Sequence, residues 1–355
     1  VLNEIAAATV TGQDWFEVFN PTAQPVDTTD WYFSNEKDNL KKTPLSSGSP
    51  VDAGGWAQGF QAEPYGLRQS GEQVFLSYLP GTGEDRVADA LDFPAQQTGV
   101  SYGRYPDGDP YGQGMPQTPG AANATHSPSG FIHEVMYHPA GTNAEYIVLF
   151  NPRSVDAWRL RGEADFDFAP SSTLALGDYL VMVPFDPADA AARGAFEAAY
   201  GAQGDLVGPF TGKLDNHQGH IALQHRVEID TWVVEDEVYY VDRTPFADSA
   251  DGTGLALHRV NSGRPGSDPA AWRSGVPSPG DATVAWPPVS LQLAPPWTLS
   301  FLSFSNLTYT LESTSLLKPP AWSVLQIFNQ AGPVSHVDLS AGAAPTRYYR
   351  VRIDE

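Results

Sequence analysis

The chain contains no cysteine and few basic residues, and both absences limit what it can do. Without cysteine it has neither a disulfide framework nor a thiolate metal site, although a secreted β-sandwich can be stable without disulfides. Lys and Arg number 20 against 42 Asp and Glu, which gives a net charge of −22. A chain this acidic repels nucleic acid and anionic membranes, so we expect neither as a partner.

Long apolar runs and familiar catalytic motifs are missing as well. No stretch of about twenty apolar residues occurs, so the sequence predicts no membrane insertion. It contains no Gly-x-Ser-x-Gly elbow, no His-Glu-x-x-His pair and no phosphate-binding loop ending in Gly-Lys. We therefore expect a protein that is not an enzyme. Val1 already belongs to a strand-like run without a signal-peptide pattern, so we also expect residues to precede it in the full protein.

Glycine, proline and aromatic residues are what the chain has in quantity. Its 33 Gly, 31 Pro and 12% aromatic residues suit many short strands joined by tight turns. The hydrophobic fraction of 41% is enough for globular cores, and 355 residues exceed one typical core. The composition therefore predicts an all-β protein of two or three domains.

The sequence also contains an internal repeat. Strand-like runs that begin at Val1 and Phe131 each carry a glutamate, and each is followed by an aromatic run that ends in Asn-Pro. Both copies close on a similar phrase, Thr118-Pro119-Gly120-Ala121 in one and Ser278-Pro279-Gly280-Asp281 in the other. We take 1–124 as the first module and 130–283 as the second. A third module, 284–355, begins at the joint Trp286-Pro287-Pro288.

Short runs of aromatic and β-branched residues bounded by Gly, Pro, Asn or Asp predict strands in all three modules. In the first module the runs are 1–5, 15–19, 31–34, 73–78 and 87–93. In the second they are 131–137, 146–150, 179–183, 220–225, 231–234 and 255–260, and in the third 290–293, 298–304, 307–313, 322–328 and 348–353. One helical insertion is predicted over 186–200, with Asp186 as its N-cap, Pro187 in its first turn and Gly201 at its end.

The repeated phrases, in this order, resemble the lamin tail domain, an immunoglobulin-like sandwich also found in many secreted bacterial proteins. In the first module the resemblance rests on 3–5, 14–21, 71–76, 101–104 and 107–108, and in the second on 133–139, 145–146, 150–152, 208–214 and 251–257. The resemblance implies tandem immunoglobulin-like β-sandwiches in a mostly non-catalytic family of adhesion, scaffolding and attachment modules. One departure is Val148, which stands where the first module has Glu17.

The third module is similar to small C-terminal β-domains of large secreted bacterial proteins, through 309–313, Trp322 and 347–351. Together the resemblances imply a secreted or cell-surface bacterial protein with a structural or adhesive function, such as binding of a protein partner. Because the exposed edges of sandwiches invite pairing, self-association into a surface assembly or filament is a further hypothesis. The alternative is an accessory module of a larger secreted hydrolase that binds Ca²⁺ or a polysaccharide. Both interpretations stay open at this point.

Acidic turns are the candidate metal sites. The turns at 107–109 and 248–252 bring carboxylates and free carbonyls together, which are the ligands that Ca²⁺ prefers. Asp107, Asp109, Asp248 and Asp251 are therefore the candidate ligands, and Ca²⁺ is the only cofactor that the sequence suggests. Asp and Gly also dominate ordinary turns, which is the alternative explanation. The pair His217-x-x-His220, with His225 nearby, has a spacing that a metal can share, but it falls in a predicted hairpin.

Exposed aromatic residues are the candidate glycan contacts, because aromatic rings stack on sugars as well as filling sandwiches and interfaces. Trp56 and Tyr111 are the candidate ligand residues, from a set that also contains Tyr65, Tyr105 and Trp232. The repeated glutamates need partners if their strands are buried. We expect Arg104 to pair with Glu4 and Arg259 with Glu134, as an ion pair or a hydrogen-bonded corner rather than a catalytic carboxylate.

Overall fold

The chain folds into β-sheets, as the composition predicts, and all described strand pairs are antiparallel except that of 178–182 with 205–207. The computed structural model describes residues 1–45, 50–60, 66–125, 128–151, 157–169, 177–201, 204–228, 230–281, 289–303, 308–330, 332–343 and 346–354. The described strands form six sheets, two within each of the three modules. The predicted all-β, multi-domain sandwich class is therefore confirmed.

The first module contains nine described strands in two facing sheets. They are β1 (Leu2–Ala6), β2 (Trp15–Phe19), β3 (Trp31–Ser34), β4 (Thr43–Pro44), β5 (Trp56–Phe60), β6 (Gly71–Tyr78), β7 (Arg86–Pro94), β8 (Val100–Arg104) and β9 (Gly112–Pro116). The sheet orders are β5-β2-β1-β8-β9 and β4-β3-β6-β7. Alternating side chains of both sheets meet in the core, where the rings of Phe16 and Phe33 stack with centroids 3.8 Å apart.

The second module contains eleven described strands and one α-helix. They are β10 (Phe131–Met136), β11 (Tyr146–Asn151), β12 (Trp158–Gly162), β13 (Ala164–Asp167), β14 (Asp178–Met182), α1 (Ala190–Tyr200), β15 (Asp205–Val207), β16 (Thr211–Gly212), β17 (Gln218–Glu228), β18 (Thr231–Val241), β19 (Ala256–Arg259) and β20 (Trp272–Gly275). The sheet orders are β15-β14-β11-β10-β19-β20 and β16-β13-β12-β17-β18.

The first two modules share one topology. Removing β15 and β16 from the second module leaves the two strand orders of the first, strand for strand. Even an irregularity recurs, because the register of the first strand shifts between Leu2 and Glu4 and again between Ile132 and Glu134. The repeat seen in the sequence is therefore a repeat of fold, down to a β-bulge at Asn3 and at His133.

The predicted helix is present, but its N-cap lies three residues later than predicted. Asp189 caps α1 by accepting hydrogen bonds from the backbone N–H groups of Ala191 and Ala192. Asp186 instead accepts from Ala188 N–H in the preceding turn, so the predictions of Asp186 as N-cap and of Pro187 in the first helical turn are wrong. Gly201 ends the helix at φ 62°, as predicted. Within α1, Phe196 and Tyr200 pack edge-on against Tyr146.

The third module is a smaller pair of three-stranded sheets. Its strands are β21 (Gln292–Ala294), β22 (Thr298–Ser303), β23 (Thr308–Thr314), β24 (Ser323–Phe328), β25 (Gly332–Val337) and β26 (Tyr348–Asp354). The sheet orders are β21-β22-β25 and β24-β23-β26. The core between them contains Leu299, Phe301, Tyr309 and Leu311. Across the described parts of the chain, no helix has the length and apolar character needed to cross a membrane.

Strand prediction failed mostly at sheet edges. The missed strands at an edge or next to one are β4, β5, β8, β9, β13, β15, β16 and β20. The predictions also miss β12, at the centre of its sheet, and β25, which contains Pro333. The strand predicted at 231–234 extends to Val241, through Glu235-Asp236-Glu237. This acidic run remains in the sheet because Asp236, although buried, is paired with Arg259.

Candidate functional site

The repeated glutamates hold the closing phrase of each module. Glu4 is fully buried and its carboxylate accepts hydrogen bonds from the Ser101 hydroxyl at 2.5 Å and from Thr118 N–H at 3.0 Å. Glu134, also fully buried, accepts hydrogen bonds from the Tyr146 hydroxyl and from Ser278 N–H at 3.0 Å. Each glutamate is therefore held by hydrogen bonds in both copies, but its partners are hydroxyl and backbone N–H groups and not the predicted arginines.

The predicted arginine partners belong to a different pair. Arg104 lies 3.0 Å from Asp89, and Arg259 lies 3.2 Å from Asp236. Each aspartate also accepts a backbone N–H from the first strand of its module, that of Leu2 at 2.8 Å or of Ile132 at 2.9 Å. Pairing of Arg104 with Glu4 and of Arg259 with Glu134 is thus wrong. The arginines instead join the two sheets of each sandwich, because the aspartates come from the opposite sheet.

Burial shifts the pKa values of these acids and of a neighbouring histidine. Burial raises the pKa of Glu134 to about 7, and it lowers the pKa of the neighbouring His258, whose Nε2 lies 3.7 Å away, to about 3. Burial also raises the pKa of Glu17 to about 7, against a weaker opposing effect of the Gly120 N–H, which donates to it at 2.6 Å. Burial therefore disfavours the charged form of the carboxyl groups of Glu17 and Glu134 and of the imidazole of His258.

The candidate calcium ligands lie in separate hydrogen-bonded turns. Asp107 accepts from the Asn3 amide and from Asn123 N–H, both at 2.9 Å, while Asp109 accepts from Tyr111 N–H at 3.2 Å. Asp251 is bonded to the ring of His138. The side chain of Asp248 lies outside the described residues. Among those that are described, no three acidic or histidine side chains are grouped as a metal site would require.

The three histidines of the predicted hairpin each face a carboxylate on β18 or just beyond it. His217 lies 2.8 Å from Asp242, His220 lies 2.9 Å from Glu237, and His225 lies 2.9 Å from Glu235. They therefore form cross-strand pairs along the β17–β18 ladder and do not converge on one point.

A groove of about 390 Å³ runs between the first and second modules. Edge strand β9 and the turn before it form one wall, and edge strand β18 with the loops at 245–246 and 267–269 forms the other. Its aromatic lining residues are Tyr102, Tyr111, Tyr239 and Phe246, and its acidic ones are Asp92 and Glu237. The candidate ligand residue Tyr111 is therefore placed in a concave site, which is the usual setting for small-ligand binding.

Tyr239 is the groove residue that sequence analysis missed. Its ring stacks flat on His220, with centroids 3.9 Å apart and an interplanar angle of 8°, yet half of the residue remains exposed. Glu237, on the same face of β18, bonds His220 and accepts the Tyr239 hydroxyl; burial and this carboxylate raise the pKa of Tyr239 to about 12. Alternate residues of a strand lie on one face, so Glu237, Tyr239 and Val241 could have been assigned to a common face from the sequence. That assignment needs the full length of β18, which the predicted strand at 231–234 does not reach.

The other candidate aromatics lie elsewhere. Trp56 is half-buried on β5, with its ring 5.7 Å from that of Phe19 and its indole N–H buried without a hydrogen-bond partner. Since β5 and β9 are the two opposite edges of one sheet, Trp56 and Tyr111 do not share a site. The guanidinium of Arg159 covers Trp232 at 4.0 Å. Tyr105 is half-buried, and Tyr65 lies outside the described residues.

A second cavity, of about 440 Å³, lies at one end of the first sandwich. It is lined mainly by apolar residues, among them Val1 and Trp31. Trp158, which begins β12, is the counterpart of Trp31 in the second module. Gly130 lies so close to it that a Cβ added to Gly130 would be 2.4 Å from the Trp158 ring. The surroundings of these two tryptophans therefore differ between the two copies of the fold.

The third module has an unusually apolar surface. Of fourteen large apolar side chains that are exposed among the described residues, ten lie in this module. They are Leu293, Trp297, Leu302, Leu316, Leu317, Val324, Ile327, Val337, Leu339 and Tyr348. The sequence of this module has four basic and four acidic residues, so the net charge of −22 belongs to the rest of the chain. Where exposed apolar side chains lie next to one another, they mark candidate interaction sites.

Edge strand β24 presents the most organised part of this surface. Val324 and Ile327, each at least half exposed, lie opposite Glu312 and Thr310 of β23, on the face turned away from the core. On the other side of β23, Arg350 bonds Glu312 at 2.7 Å and stacks over Trp322 at 4.2 Å. We call the residues Trp322, Val324, Ile327, Arg350 and Arg352 the β24 face. Trp and Arg are the residue types that dominate binding energy at interfaces.

Comparison with protein-family models, with curated proteins and with solved structures finds no match to this chain. The lamin-tail resemblance therefore stays an interpretation of the quoted phrases. The structural support for duplication is the shared topology of the two modules together with their equivalent glutamate and aspartate contacts.

Proposed function

We propose that this chain is a non-catalytic structural or adhesive protein of the cell surface or extracellular space, built on tandem sandwiches of lamin-tail type. It associates with further copies of itself through the third module. The observation that carries this proposal is the concentration of exposed apolar side chains on that module. Edge strands that expose apolar side chains are prone to pair with another chain.

Charge supports contact through the third modules of two copies. Because the third module has no net charge in its sequence, contact between the third modules of two copies brings no excess of like charge together at the interface. The β24 face supplies apolar side chains at the sheet edge, and Glu312 partly neutralises Arg350 within each copy. Self-association at this edge is therefore compatible with the strong acidity of the chain.

Sedimentation velocity of the full chain over a range of concentrations tests the proposal. We expect oligomers that grow with concentration, and assemblies visible by electron microscopy at the highest concentrations. The double substitution Val324→Lys with Ile327→Lys is expected to give monomers. Val10→Lys is the control, because Val10 is 82% exposed in a loop of the first module. Monomers of the unsubstituted chain at every concentration would contradict self-association.

A second candidate function is that of a glycan-binding accessory module of a larger secreted hydrolase. The groove between the first two modules favours it, since aromatic and acidic residues line a concave surface there. Binding of soluble oligosaccharides to the full chain tests this candidate, and it is independent of the β24 face.

A further inference from the structure

We infer that the groove between the first and second modules binds a neutral, gluco-configured oligosaccharide, with Tyr239 as its stacking platform. This inference rests on the second candidate function and assigns it a site and a ligand class. The principal residues are Tyr239, Tyr111, Glu237 and Asp92.

Contacts within the protein hold the Tyr239 ring in place without a ligand. One face of the Tyr239 ring is covered by the parallel ring of His220, and the residue, half of which remains exposed, lines the groove. Glu237 bonds His220 at 2.9 Å and also accepts the Tyr239 hydroxyl, which fixes both rings. A ring held in place loses little conformational entropy when a ligand stacks on it.

The opposite wall supplies a second aromatic residue. Tyr111 is partly exposed and lines the same groove, and its backbone N–H donates to Asp109 at 3.2 Å within the turn. Pyranose rings whose hydroxyls are all equatorial carry C–H groups on both faces. Such sugars suit a groove with aromatic residues on facing walls, because aromatic rings provide a large apolar contact.

Charge selects against acidic sugars. Asp92 and Glu237 are carboxylates, and none of the described residues that line the groove is basic. Carboxylates are hydrogen-bond acceptors for sugar hydroxyls, whereas they repel uronate or sulfate groups. The volume of about 390 Å³ lies within the range of about 300–1,000 Å³ that is typical of small-ligand sites.

Isothermal titration calorimetry of the full chain tests the assignment, with cellohexaose and chitohexaose as neutral probes and oligogalacturonate as the anionic counterpart. We expect binding of at least one neutral probe and none of oligogalacturonate. Tyr239→Ala and Tyr111→Ala should each weaken binding by about tenfold. Tyr239→Phe keeps the ring and should stay within about threefold of the unsubstituted chain.

Tyr348→Ala is the matched control, because Tyr348 is an exposed tyrosine of the third module. Neutral binding that survives Tyr239→Ala would leave the glycan-binding function standing and overturn this site. Absence of binding by both neutral probes would overturn the site and the second candidate function together. Binding of decaproline in place of the sugars would assign the groove to a peptide partner and overturn the proposed ligand class.

Discussion

At the scale of single residues, comparison of the two modules shows which buried carboxylates are common to both and which occurs in only one. Glu4 and Glu134 occupy the same register position and hold the same closing phrase. Glu17 is different, because only the first module has a carboxylate at its position. Glu17 is the cross-strand neighbour of Glu4, whereas Val148 is the cross-strand neighbour of Glu134. The second module therefore shows that this topology does not need a carboxylate at that position.

Substituting Glu17→Gln should flatten the pH dependence of stability. Burial raises the pKa of Glu17 from 4.5 to about 7, so between these values the folded chain holds a proton that the unfolded chain releases. Stability therefore falls as pH rises through this window, and the loss is complete above it. We expect urea unfolding to show the unsubstituted chain losing about 2–3 kcal/mol more than the variant between pH 5 and pH 8.

The control for this substitution is Glu84→Gln, at an exposed position of the same module. It should leave the pH slope unchanged. Equal slopes for the unsubstituted chain and for Glu17→Gln would mean that the Glu17 carboxyl titrates as it does in the unfolded chain.

At the scale of secondary structure elements, the start of α1 depends on which aspartate can reach unpaired N–H groups. Asp189 accepts from two N–H groups of the first helical turn, whereas Asp186 accepts from one N–H in the turn before it. Both residues fit the capping preference in the sequence. The choice between them is made by backbone conformation, since Asp189 has the extended φ and ψ of a cap, −72° and 101°.

Asp189→Ala should therefore destabilise the second module by about 1 kcal/mol. Asp186→Ala should cost less than half as much, because it removes one turn contact and leaves the helix cap intact. Equilibrium urea unfolding followed by circular dichroism distinguishes the two variants. An equal or larger loss for Asp186→Ala would contradict the assignment of Asp189 as the cap.

At the scale of the whole molecule, charge and apolar surface are segregated. The first two modules carry the net negative charge, and the third carries most of the exposed apolar side chains among the described residues. Any association of copies must therefore work against long-range repulsion between the acidic modules.

Self-association should accordingly strengthen with salt. The screening length falls from about 30 Å at 10 mM to about 8 Å at 150 mM ionic strength, so repulsion between copies weakens while apolar contacts persist. Sedimentation velocity at the two salt concentrations should show larger species at the higher one. Weaker association at 150 mM would instead indicate that ion pairs of Arg350 or Arg352 hold the copies together.

The sequence by itself determined the all-β class, the duplication, the helix and its glycine stop. These follow from local preferences and from the period of side-chain alternation, which neighbouring residues are enough to show. Edge strands such as β5 and β16 were not predictable in this way, because they are short and defined mainly by the strand that they pair with.

Only the tertiary structure decided the partners of the buried charges and the position of the groove. Glu4 bonds Thr118 across 114 residues, and Ile132 donates to Asp236 across 104, so local sequence does not distinguish them from the expected arginine partners. Tyr239 and Tyr111 become neighbours because edge strands of two different modules meet. The physical reason is that burial and the choice of hydrogen-bond and ion-pair partners depend on the whole folded chain. The propensity to form a strand or a helix depends on each local segment.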